Sequence, residues 1–202
     1  MRRLEFWFEF GSTYSYLSVM RIEDLAARHD VTVEWKPFLL GAVFKAQGWE
    51  TSPFNIYEDK GRYMWRDVAR RAAKYGLEFH RLPHEGPARF PQNGLYAARM
   101  ALVALEQPWG EAFCKSVFVA QFADGEDIGT QEKIDELACR HGAGSADIGA
   151  ARSQRIKDVL RVQTEIAVTK GIFGAPSFVV GDELFWGDDR LEDAIAFAVE
   201  LP

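Results

Sequence analysis

The chain has 202 residues, 48% of them hydrophobic and 27% charged, which suits a compact domain enlarged by an insertion and excludes a disordered polymer. Lys plus Arg number 24 against 30 Asp plus Glu, and the net charge of −6 provides no global field toward phosphate backbones or anionic lipid. The longest uncharged apolar runs, such as Ala101 to Leu105, fall far short of the roughly 20 residues that span a bilayer, so neither nucleic-acid binding nor membrane crossing is predicted.

Leu4, Phe6, Phe8 and Phe10 alternate with Glu5, Trp7 and Glu9, a period of two that predicts a strand with its apolar side chains on one face. Arg2 and Arg3 precede it, but Glu5 and Glu9 interrupt the apolar stretch that a secretory signal would need. Ser12 then stands before Tyr16, Leu17, Met20, Leu25 and Ala26 at helical spacing, the pattern of an N-cap followed by a helix running to about His29. Val31, Val33 and Trp35 alternate again and end near Pro37-Phe38, completing a right-handed βαβ unit.

From Gly41 to Asn93 the composition is that of a connector, with one helix from about Arg62 to Tyr75 stopped by Gly76 and a loop carrying Pro83, Pro87 and Pro91. Helical patterns follow at about 94–106, 109–123, 131–141 and 148–170. After Gly171 the period returns to two at Ser177–Val180 and Leu184–Trp186, around the hairpin signal Gly181-Asp182-Glu183, and a last helix covers about Arg190 to Glu200. The order βαβ, helical block, ββα predicts an α/β fold. In it, residues 1–40 and 171–202 form a split sheet domain, 41–170 form a connector and inserted helical subdomain, and the end of the 148–170 region packs on the sheet.

Cys114 and Cys139 are too few for a disulfide scaffold, no Cys-x-x-Cys is present, and both fall in predicted helices, so dithiol exchange has no chemical support. Reduced thiols make a cytoplasmic location the expectation. The four histidines show no metal-ligand spacing, and no metal is expected.

Five stretches carry a family resemblance: FEFGSTYSYLS at 8–18, PFLLGAVFKAQG at 37–48, SPFN at 52–55, KGRYMWRD at 60–67 and GIFGAPSFVVGDELFWGDDRL at 171–191. Together they resemble the 2-hydroxychromene-2-carboxylate isomerases and the kappa-class glutathione transferases, relatives of the DsbA-type thioredoxin fold. The resemblance runs nearly end to end. It implies a thioredoxin-like fold with a large helical insertion, glutathione as cofactor, a small anionic aromatic substrate and a homodimer. The implied activity is glutathione-dependent isomerisation of 2-hydroxychromene-2-carboxylate or a related unsaturated aromatic 2-oxo acid, with conjugation of glutathione to electrophiles as the alternative. It also implies that Ser12 occupies the place where disulfide oxidoreductases of this fold carry their first reactive Cys. Thr13 follows Ser12 where the family commonly has Pro, and Gly11 precedes it where bulkier residues are common.

The chemistry of that position can be weighed. A thiol with a pKa of about 8.5 is only about 3% ionised at pH 7, and lowering the value by two units requires about 2.7 kcal/mol. A helix N-terminus supplies roughly 0.3–1 kcal/mol, occasionally 2, and a hydroxyl donating to the anion roughly 1.5–3, so the two together suffice where neither alone does so reliably. On spacing alone, Ser12 is read as a plain N-cap, as most Ser residues at such positions are, and only the resemblance gives it the chemical role.

Ala175-Pro176 heads a strand, where Pro is otherwise awkward; a cis peptide would fit it, and so would an ordinary turn after Gly174. In the fold implied, the residue before this Pro offers its backbone to the cysteinyl unit of glutathione as an added strand. Asp189 and Glu192 fit a capping box, while the resemblance implies that Asp188 and Asp189 meet the γ-glutamyl end. The resemblance likewise implies that Asn55 and Lys60 reach the peptide backbone and glycyl carboxylate. Lys60, Arg62, Arg66, Arg70, Arg71 and Lys74 against the single acid Asp67 make a cationic face over 60–74, read either as an attractor of anionic substrate or as a solvated surface.

Overall fold

The computed structural model describes residues 2–201; the ends of the expected split domain, 1 and 202, lie outside it. Four strands form one mixed sheet: β1 (Arg3–Phe8), β2 (Thr32–Pro37), β3 (Ser177–Val180) and β4 (Glu183–Trp186), in the order β2-β1-β3-β4. β1 runs parallel to β2, with Phe6 opposite Trp35, and antiparallel to β3, with Phe6 opposite Phe178; β3 and β4 are the expected hairpin.

Alternation along β1 divides the core. Leu4, Phe6 and Phe8 point into one apolar layer with Phe178 and Val180, while Trp7 and Val179 point into the other. The first layer is an aromatic stack in which the Phe6 ring lies 5.1 Å from Phe8, 5.3 Å from Trp35 and 5.5 Å from Phe178. Such pairs add about 0.5–1.5 kcal/mol each beyond the area they bury.

The region read as one helix to His29 is two, α1 (Thr13–Val19) and α2 (Ile22–Ala27), separated at Met20-Arg21. At the break the Arg21 Nε donates back to the Leu17 carbonyl and its guanidinium turns to Asp188, so a long-range ion pair sits where the apolar periodicity continues unbroken. The connector holds two helices the sequence reading missed, α3 (Leu40–Ala46) and α4 (Pro53–Ile56), followed by α5 (Glu58–Tyr75), which starts earlier than expected and ends on Gly76 in the left-handed region.

Helices α6 (Leu95–Ala104), α7 (Gly110–Phe122) and α8 (Gln131–His141) match their predicted places. The expected 148–170 helix is again two, α9 (Ser145–Arg152) and α10 (Gln154–Thr169), because Ser153 is extended and its hydroxyl caps the Ile156 N–H. The last helix, α11 (Leu191–Glu200), follows a 3-10 turn at Asp188–Arg190. α3 and α10 cover the Trp7 face of the sheet; α1, α2, α11 and the inserted helices share the other. No helix among the described residues is long and apolar enough to cross a membrane.

Candidate active site

Where β1 ends, the chain turns through Glu9-Phe10-Gly11 into α1, beside a cavity of about 1150 Å³. The β1–α1 turn, α3, the α4–α5 corner, the loop at 90–95 and the segments at 173–175 and 186–189 form its wall. Ser12 caps α1, accepting the Ser15 N–H at 3.1 Å, and its hydroxyl donates to the Ala175 carbonyl oxygen at 2.9 Å. The N–H groups of Thr13 and Tyr14 meet no acceptor among the described residues. α1 is only seven residues long, so its dipole is weaker than that of the long helix expected, and stabilising an anion here falls more heavily on the Ser12 hydroxyl. One turn on, the buried Ser15 hydroxyl has no partner.

The Ala175–Pro176 peptide is cis. Ala175 lines the cavity; Pro176 stands behind it, its carbonyl accepting the Gly187 N–H at 3.0 Å. Ser177, fully buried, donates its hydroxyl to the Gly174 carbonyl and stiffens the same corner.

Asp188 and Asp189 are adjacent in sequence and opposite in circumstance. The Asp188 carboxylate is fully buried: Oδ1 accepts from Arg21 at 3.1 Å and Ser18 at 3.2 Å, and Oδ2 accepts from the Arg71 Nε at 2.7 Å. With two guanidinium groups and a hydroxyl on it, this carboxylate is taken up in joining α1, α5 and the 3-10 turn, and it has little capacity left for an ammonium group. Asp189 is half exposed, lines the cavity and pairs with Arg190 at 3.0 Å. The Asp189–Glu192 capping box does not form: α11 starts at Leu191 with no side-chain cap, and Glu192 pairs with Arg21 instead.

Lys60 lines the cavity from the first turn of α5, makes no ion pair among the described residues and rests over the Tyr57 ring at 4.7 Å. Asn55 is exposed, donates to the Thr51 hydroxyl at 3.2 Å and is not part of the cavity wall. Half of the cationic face is paired with acids where it stands. Arg62 pairs with Glu58 and Asp59, Arg70 with Asp67 and Arg71 with Asp188; Lys60 and the partly buried Arg71 are the two of the six on the cavity wall, and of these Lys60 has no ion pair among the described residues. On the same wall, Tyr14 donates its hydroxyl to Asp67, one turn before Arg71 on α5, at 3.0 Å, and burial with that neighbouring carboxylate pushes the phenol up.

Sequence reasoning missed Glu9. As the outward position of an alternating strand it reads as solvated, but β1 ends at Phe8 and the Glu9 side chain turns onto the cavity wall. Burial pushes its carboxyl up from 4.5 to about 7, outweighing the Gly11 N–H that donates to it. Cys114 is buried in α7, where desolvation pushes its thiol up, Cys139 is exposed on α8, and neither lines the cavity.

Comparison with known proteins follows the same lines. The family model described as DSBA-like thioredoxin domain matches residues 3–196. A 2-hydroxychromene-2-carboxylate isomerase from Sphingobium xenophagum is 29% identical over 204 residues, covering 95% of each chain. Glutathione s-transferase kappa 2 from Caenorhabditis elegans is 24% identical over 208 residues, covering 98% of this chain and 92% of that one. A solved structure of a 2-hydroxychromene-2-carboxylate isomerase superposes with a TM-score of 0.81 at 26% identity, covering 96% of this chain and 95% of that one.

Proposed function

The chain belongs to the DSBA-like thioredoxin domain family, and from that premise we propose that it is a glutathione-dependent isomerase of 2-hydroxychromene-2-carboxylate or a related unsaturated aromatic 2-oxo acid. The observation that carries the reading is the Ser12 hydroxyl at the cavity wall beside the Ala175 carbonyl, where this fold's chemistry calls for sulfur and no cysteine of this chain stands. A thiol acting there has to arrive with a ligand. The relatives named as isomerases support the activity, and the one named as a glutathione s-transferase supports glutathione as the thiol.

The residues present fit glutathione in kind and in space. Lys60 offers an unpaired ammonium for a terminal carboxylate, Asp189 a half-exposed carboxylate for the γ-glutamyl ammonium, and Ala175 a backbone edge for the cysteinyl unit. Asp188 also borders the cavity, but its carboxylate is engaged in holding Arg71 and Arg21. Asn55 joins the set only if its amide leaves Thr51 and turns inward. The cavity is large enough to take a tripeptide and a bicyclic aromatic acid together.

Bound glutathione supplies a sulfur anion that adds reversibly to a conjugated C=C bond and so frees it to rotate. The Ser12 hydroxyl, which donates to the Ala175 carbonyl, would be the donor that holds such an anion and lowers the cost of its ionisation. Arg71 stands on the cavity wall with its guanidinium held by Asp188, and its remaining N–H groups are the donors proposed for the substrate's carboxylate. The experiment is a thiol balance: the absorbance of the conjugated acid changes while free thiol stays constant, and stoichiometric loss of thiol rejects the isomerase. The likeness to the kappa transferase favours conjugation as the second reading, and rapid consumption of a chloronitroaromatic acceptor without isomerisation of the chromene acid would select it.

A further inference from the structure

The Glu9 carboxyl occupies a slot that two glycines leave open. A Cβ on Gly94 would stand 2.9 Å from Glu9 Oε1 and 3.0 Å from the Phe10 Cβ, and one on Gly11 would stand 3.1 Å from Glu9 Oε2. The slot is fixed from behind: the buried Gln121 amide donates to the Phe10 carbonyl at 2.9 Å, and Gln92 holds the 90–94 loop through the Ile128 N–H and the Glu126 carbonyl. No side chain hydrogen-bonds or ion-pairs with Glu9 among the described residues. The β1–α1 turn and the 90–94 loop that face it bring the Gly11 N–H and no charge. A half-buried carboxyl that meets one backbone N–H and, among the described residues, no side-chain partner, on a cavity wall three residues before Ser12, is free to exchange a proton with whatever the cavity holds.

We propose that Glu9 is the acid and base of the isomerisation, giving a proton to the substrate's ketone oxygen and taking the same proton back. The inference rests on the isomerase reading above. In the chromene acid the ring C–O bond first breaks and the hemiketal hydroxyl gives its proton, through water, to the phenol oxygen, which frees the ketone. When a C–S bond then forms at the carbon β to that ketone, the π pair of the C=C bond moves through the conjugated system onto the ketone oxygen. Glu9 protonates that oxygen and becomes a carboxylate, so the negative charge passes from the enolate to the weaker base. The former double bond, now single, rotates. Glu9 then removes the proton, the pair returns to re-form C=C, and the C–S bond breaks with its electrons leaving on sulfur. Nothing is consumed, and Glu9 ends protonated. Its carboxyl, raised to about 7, is divided between the two forms near neutral pH, which is the condition for serving both halves of the cycle.

The test pairs carbon-13 NMR of the Glu9 carboxyl in glutathione-free protein with the pH dependence of kcat at saturating glutathione. Wild type is compared with Glu9→Gln and Glu9→Asp, and calorimetry follows glutathione binding in all three. The expected result is a carboxyl titrating near pH 7, a kinetic break at the same pH, and a Glu9→Gln turnover at least about 100-fold lower with the break gone. A carboxyl titrating in the ordinary range, a Glu9→Gln enzyme within about threefold of wild type, or one that keeps the break, overturns the proposal. If Glu9→Gln binds no glutathione, Glu9→Asp decides: its kinetic break must follow the new carboxyl's own midpoint, and a break that stays in place overturns the proposal. Wild type that binds glutathione and isomerises with it, beside an equally active Glu9→Gln, removes this inference alone; wild type that does neither removes the isomerase reading and this inference with it.

Discussion

The Ser12 hydroxyl donates to the Ala175 carbonyl oxygen at 2.9 Å, joining two backbone corners 163 positions apart in the chain. One contact thus ties the start of α1 to the segment before β3, on the wall of the one cavity that also holds Lys60, Asp189 and Glu9.

Replacing Ser12 with Ala removes both the cap and the donor. Loss of a hydrogen bond to a charged group, about 1.5–3 kcal/mol, predicts a turnover about 10- to 100-fold lower, while the glutathione Kd, set by the rest of the tripeptide, stays within about threefold. Steady-state kinetics beside calorimetry measures both. Undiminished turnover would show that the hydroxyl only caps the helix.

Asp188 bears on stability before it bears on binding. Asp188→Ala leaves Arg21 and Arg71 partly buried without their common carboxylate, for which a loss of about 3–5 kcal/mol is expected in urea unfolding. A variant as stable as wild type would return Asp188 to the role of a ligand.

Glu9 imposes a pH dependence on folding with a definite sign. Below its unfolded value of 4.5 both states hold the proton and nothing is lost; between 4.5 and about 7 the native state alone holds it, so stability falls as pH rises and levels off above that window. The full cost is on the order of 3 kcal/mol. Glu9→Gln, which cannot ionise, is therefore expected to gain stability over wild type between pH 4 and pH 8. Parallel curves for the two proteins would place the carboxyl in solvent.

Lys60, without an ion-pair partner among the described residues, is available to a ligand carboxylate. Lys60→Met should raise the glutathione Kd about tenfold, with the difference shrinking in high salt and Lys60→Arg recovering part of it. A Kd unmoved by the substitution assigns the glycyl end to another residue.

Periodicity made the two ends of the sheet and the helices of the insertion legible, because Leu4, Phe6 and Phe8 alternate and the helical stretches keep one apolar face. Period cannot report a break imposed from elsewhere: Met20-Arg21 interrupts an unbroken pattern at a residue committed to Asp188, 167 positions away. α3 and α4 are too short, at seven and four residues, to show a repeat against the Gly and Pro around them. At the site, motif resemblance located Ser12, Lys60, Ala175 and Asp189 on the cavity wall, but it made no distinction between Asp188 and its neighbour, because which carboxylate is buried depends on where Arg21 and Arg71 arrive. Glu9 was hidden by its own alternation, since only the end of β1 at Phe8 turns it inward.

Calorimetric titration of glutathione into the pure protein bears most directly on the whole account. Saturation at one glutathione per chain with a Kd below about 1 mM, weakened by Lys60→Met, is the result predicted. No heat of binding up to about 10 mM would contradict it, leaving the Ser12 corner without the sulfur on which the chemistry depends.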